Sequence, residues 1–100
     1  MIFDVKIHGK NYEFKDDYND INAIGFFVYI FINANDIDSA KSIGIINLCN
    51  NQVYIDNVKP AETAASELVV EEVSIANYTD FIPNQLSEFI LYKNDDLKEY

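Results

Sequence analysis

Few side chains in this sequence are equipped for chemistry: one histidine, His8, and one cysteine, Cys49, stand among seventeen carboxylates and seven lysines, with no arginine. His8 as a general base would need a nucleophile and an orienting carboxylate beside it. It falls on the polar side of an alternating segment, which predicts an ordinary exposed histidine. Cys49 has no second cysteine to pair with and no zinc-ligand spacing. Its neighbours Ile46 and Leu48 predict a buried, inert thiol. Asp16, Asp17 and Asp20, gathered around Tyr18 and Asn19, lack the turning glycine and closing glutamate of a calcium loop. Asn33, Asn35 and Asp36 suit helix capping better than ligation. Neither a metal nor a cofactor is expected.

Glu71 and Glu72 are adjacent in a strand-like run, where successive side chains point to opposite faces, so one of the pair is expected to face inward. The pair reads as an edge charge that discourages unwanted strand pairing. An enzyme using Glu71 or Glu72 with His8 is the catalytic alternative. The chain as a whole points to binding instead of catalysis. Its net charge of −10 repels DNA and RNA, whose affinity comes from lysine and arginine displacing counterions. Anionic membrane surfaces are disfavoured in the same way. A basic protein is attracted, because complementary fields speed encounter and select partners. Tyrosines interleaved with acids suit a contact that is part apolar and part polar. The expected partner-binding residues are Asp16, Asp17, Tyr18, Asp20, Glu71, Glu72, Tyr92, Asp95 and Asp96. Carboxylates on such a surface can occupy the lysine and arginine positions with which a nuclease holds phosphate.

One hundred residues, half of them apolar, suffice for one core and not for two, so a single domain over residues 1–100 is expected. The start of the chain has no basic stretch ahead of an apolar run, as a signal peptide would. The longest apolar run, residues 23 to 32, has ten residues against the ~20 of a spanning helix. A cytoplasmic protein is the expectation. The abundance of Ile, Asn, Lys and Tyr resembles the usage of an AT-rich bacterial genome.

Phe3, Val5 and Ile7 alternate with Asp4, Lys6 and His8, the period of a half-buried strand. A turn at Gly9-Lys10 and renewed alternation at Tyr12 and Phe14 predict a hairpin or a bent strand over residues 2 to 15. Residues 24 to 32 are apolar on both faces, which predicts a central strand. From Ile37 the apolar spacing Ile37, Ala40, Gly44, Ile45, Leu48 is helical and ends at Asn50-Asn51. Gly44 is read as close helix-to-sheet packing. Residues 52 to 56 suit a short strand, and Pro60 suits the first turn of a brief helix through Ala61, Ala64 and Ala65. Residues 67 to 78 and 86 to 92 are read as a strand and its return across a turn at residues 79 to 85. The result is an α+β two-layer sandwich with one main helix on an antiparallel or mixed sheet of about four to five strands.

The strand Gly25-Phe26-Phe27-Val28-Tyr29-Ile30-Phe31, the helix opening at Asn33-Ala34-Asn35-Asp36-Ile37, the segment Glu67-Leu68-Val69-Val70-Glu71-Glu72-Val73 and Phe89-Ile90-Leu91-Tyr92 together resemble small acidic bacterial ferredoxin-like proteins. That group includes immunity proteins of contact-dependent and other polymorphic toxin systems. The resemblance covers residues 24 to 93 and implies a cytoplasmic immunity or inhibitor protein that neutralises a basic toxin, expected to be a nuclease domain. The alternative is a self-associating ferredoxin-like module that binds a small ligand, for which a homo-oligomer is expected.

Overall fold

In the computed structural model, which describes residues 1–14, 25–61, 65–76 and 85–92, the opening alternation becomes β1 (Ile2–Lys10), with Phe3, Val5 and Ile7 turned inward. β2 (Tyr12–Phe14) and β3 (Gly25–Asn33) follow, then α1 (Ile37–Cys49), α2 (Gln52–Asn57), β4 (Val58–Pro60), β5 (Glu67–Ile75) and β6 (Ile90–Tyr92). The main sheet has the order β5-β1-β3-β6, antiparallel at every junction. β5 therefore runs parallel to β3 with β1 threaded between them, and α1 is part of the crossover. The described residues form an α+β fold with one main helix on a four-stranded sheet, as the hydrophobic periods predicted. Asp16, Asp17, Tyr18, Asp20, Asp95 and Asp96 lie outside the described residues.

The core forms where α1 meets the sheet. Asp36 caps the helix by accepting the Ser39 N–H at 2.7 Å, and that bond holds its carboxyl below the ordinary range. Ala40, Gly44 and Leu48, four residues apart, make the buried stripe of α1. They face Val5, Ile7, Val28, Ile30 and Ile32, all removed from solvent. Each such aliphatic side chain contributes about 1.5–3 kcal/mol. A Cβ on Gly44 would lie 3.3 Å from Val5 Cγ1, so the glycine lets the helix sit close, as its position implied.

Several local expectations give way. The first turn is at Asn11, whose φ of 60° is left-handed, while Gly9 is a buried position inside β1. β2 then pairs with β4 instead of folding back on β1. Residues 52 to 56 are helical, because Asn51 caps α2 by accepting the Tyr54 N–H at 3.1 Å. Pro60 ends β4 instead of opening a helix. β6 pairs with β3, not β5, and Leu86 makes only an isolated bridge to Ile30. Cys49 is exposed, since a helix whose inward stripe runs through Leu48 turns the next residue away from the sheet. Among the described residues no helix is long and apolar enough to cross a membrane.

Candidate functional site

Because strand side chains alternate, the inward set of β1 and β3 leaves a second set on the face away from α1. There Asp4, Lys6 and His8 stand opposite Phe31, Tyr29 and Phe27 in register. These three aromatics are half-buried, and among the described residues no helix packs over them. Lys6 lays its ammonium 4.8 Å from the Phe27 ring centre and 5.9 Å from that of Tyr29, and reaches Glu71 Oε2 at 3.7 Å. A cation over an aromatic face gains from the ring quadrupole, and the carboxylate beside it adds a charge pair.

Glu71 arrives by a β-bulge. Pairing shifts between Lys6, opposite Glu72, and Ile7, opposite Val70, so Glu71 is the extra residue of β5. A bulge suspends strict alternation, and both Glu71 and Glu72 are exposed; the expected inward carboxylate is absent from this pair. Glu71 Oε1 sits 2.6 Å from His8 Nδ1, and His8 Nε2 sits 2.5 Å from the Tyr92 hydroxyl. The histidine is thus half-buried, with 12 % of its side chain accessible, instead of freely exposed. Its ring stacks on Phe27 with centroids 4.3 Å apart. With a neutral imidazole, Nδ1–H donates to Glu71 and Nε2 accepts from the phenol; a protonated ring donates to both partners.

Tyr92 belongs to β6 and must pass over β3 to reach β1. Gly25 is its paired residue, and a Cβ there would lie only 2.2 Å from the Tyr92 oxygen. The missing side chain makes the crossing. Burial, and then the charge of Glu71, push the Tyr92 phenol above its ordinary value. Carboxylate, imidazole and phenol in this order could relay a proton. Each group is already bonded to the next, so the chain also clamps β5, β1 and β6 across the open face.

Asp4 marks the other end of this face. Its Oδ1 is buried with no hydrogen-bond partner among the described residues, and burial followed by the charge of Glu72 raises its carboxyl above the ordinary 3.8. A raised carboxyl favours the folded chain when protonated: that contribution is full below pH 3.8 and lost as pH rises through the folded value. Asp4→Asn is therefore expected to stabilise the protein at pH 7, with the gain over wild type vanishing below pH 3.8. Urea midpoints of both proteins across that range check it, and an equal gain at every pH would contradict the charge-based cause.

The structure thus gathers Glu71, Glu72 and Tyr92 on one face, and adds Asp4, Lys6, His8, Phe27, Tyr29 and Phe31, which were not read as partner-binding from sequence. Asp4, Lys6 and His8 at alternate positions were the available signal, since the residues opposite them had to share their face. Among the described residues no group of three or more His, Cys, Asp or Glu could hold a metal ion. No family model, curated protein or solved structure matches this chain.

Proposed function

We propose that this protein is a cytoplasmic inhibitor of the immunity type, of ferredoxin-like architecture, that binds a basic toxin domain, in the first instance a nuclease. The observation that carries this reading is the sheet face away from α1, over which no described helix packs, where the half-buried Phe27, Tyr29 and Phe31 are bordered by Asp4, Glu71 and Glu72 in a chain of net charge −10. Aromatic centres with polar rims are how protein contacts are built. Lys6, seated between Glu71 and two aromatic rings, shows within the chain how this face receives a cation. A lysine or arginine of the partner would meet the same combination of ring and carboxylate. Catalysis has no part in this reading, and the His8 chain serves to hold the face in shape.

The test is capture of partners by the tagged chain from a lysate of the organism that encodes it, washed at low and high salt. One basic protein, released by salt, is the expected result. With that protein purified, Glu71→Gln/Glu72→Gln is expected to slow association roughly fivefold at low salt, with the difference fading at high salt. Unchanged association rates would remove these carboxylates from the interface.

A second reading, a self-associating module for a small ligand, draws on a cleft of about 440 Å³ lined by Phe14, Val53, Leu86, Phe89 and Leu91, with Asn51, Ser87 and Glu88 as polar contacts. That volume falls within the range of small-molecule sites. A monomer whose melting temperature no compound of a metabolite panel shifts would remove it.

A further inference from the structure

The outer side of β5 offers a second mode of contact. β5 pairs with β1 alone among the described strands, and among them its other side is an edge of the main sheet. The Ala76 N–H donates to the Ile2 carbonyl at 2.9 Å, and Ser74 is paired with Asp4. In an antiparallel ladder alternate residues turn their N–H and C=O to opposite sides. Val73 and Ile75 therefore turn theirs outward, away from β1. Their side chains point to the helix side, where with Met1, Phe3 and Ile37 they line an apolar groove of about 430 Å³. Asp36 and Asp38 stand at that groove. On the opposite side of the same edge stretch is Glu72, whose charge bears on Asp4.

We infer that the edge from Glu72 to Ile75 accepts a short extended segment of a basic protein as an added strand, with an apolar side chain in the groove and a lysine or arginine at Glu72. This rests on the proposed reading that the partner is basic. Period-two alternation sends neighbouring side chains of an added strand to opposite faces, and the two faces here ask for an apolar residue and a cation. The bulge at Glu71 interrupts the edge and confines pairing to the stretch beyond it. Charge selects the occupant. β5 carries Glu67, Glu71 and Glu72 with no lysine, so a second copy of β5 paired along this stretch would add like charge at and beside Glu72 and no cation. The pattern that discourages self-pairing admits a strand of opposite charge.

The probe is a blocked ten-residue peptide alternating Lys and Val, set against the same composition arranged as one Lys block and one Val block. Amide exchange of the intact wild-type chain is followed by NMR. The alternating peptide is expected to slow exchange at Val73 and Ile75 about tenfold, the block peptide to leave them unchanged, and Val73→Pro to weaken the alternating peptide about tenfold. Proline there removes an outward N–H that β1 does not use, and the wild-type exchange result stands even if that variant does not fold. Perturbation confined to Phe27, Tyr29 and Phe31 would overturn the edge inference and leave the open-face reading in place. Equal effects of both peptides, or no effect at the edge, would overturn it too. Protection of Val73 and Ile75 that grows with protein concentration, without peptide, would assign the edge to a second copy and overturn it. If the edge takes the alternating peptide while the lysate yields no basic protein, the inhibitor reading fails and the edge inference stands.

Discussion

Gly9→Ala is expected to destabilise the protein by roughly 2 to 3 kcal/mol, although alanine in a strand interior ordinarily gains up to about 1 kcal/mol over glycine. The sign is reversed by what lies beside it. A Cβ on Gly9 would meet Phe26 Cε1 at 2.2 Å and Cζ at 2.4 Å. Phe26 is 1 % exposed, and its ring is held by Tyr12, Tyr54 and Phe89 with centroids 5.6, 6.1 and 5.3 Å away. It has nowhere to move without displacing the aromatic cluster that joins the small β2-β4 pair to the main sheet. Against a total stability of about 5–15 kcal/mol the loss is large. Urea unfolding of Gly9→Ala, Phe26→Leu and the double variant checks the cause. Leucine leaves room where the ring was, so the double variant is expected to lose less than the two single losses combined. Strict additivity would show that the methyl and the ring do not compete for one space.

What was legible in the sequence follows from how local each signal is. β1 announces itself by a period of two, α1 by a period of about four, β3 by an apolar run on both faces and the greater part of β5 by its β-branched residues, and Gly44 announces close packing by interrupting a helical stripe. Residues 52 to 56 suit a strand by sequence because Val53, Tyr54 and Ile55 are consecutive apolar residues without a helical period; the cap at Asn51, three residues ahead of the Tyr54 N–H, makes them a helix instead. The site was legible only in its parts. Glu71 and Tyr92 were singled out as charge and ring, but His8 reaches them across 63 and 84 residues of sequence. One contact needs a bulge that turns Glu71 to the open face, and the other needs a glycine in the strand between. Neither is a periodic property, so no reading of alternation could join them. The error on Cys49 has a similar origin: apolar neighbours in sequence say little about burial on a helix, where adjacent residues are 100° apart.

Adding a methyl group beneath Tyr92 is expected to cost more than removing the hydroxyl that makes its bond. Tyr92→Phe keeps the ring beside Phe27, 5.4 Å between centroids, and gives up one hydrogen bond to His8, about 1 kcal/mol. Gly25→Ala puts a Cβ 2.2 Å from the phenol oxygen and 2.5 Å from the Gly9 carbonyl. The phenol can swing away, at the expense of the His8 bond. The carbonyl belongs to the backbone of a paired strand and cannot, so the total is expected to reach roughly 3 kcal/mol. Once the alanine has expelled the phenol, removing the hydroxyl should cost little, and Tyr92→Phe is expected to fall from about 1 kcal/mol in wild type to near zero in Gly25→Ala. The proton gives a second readout. The folded phenol is raised above its ordinary 10.0, so the unfolded chain releases that proton first, and stability falls as pH rises through 10 toward the folded value. Glu71→Gln removes the charge that adds to burial, and should bring the Tyr92 titration, isolated as the difference from Tyr92→Phe, down toward the ordinary value. A Tyr92→Phe cost that is equal with and without the alanine, together with a titration indifferent to Glu71, would mean that Tyr92 does not reach across the sheet. The clamp would then join β5 to β1 alone, through Glu71 with His8 and Lys6.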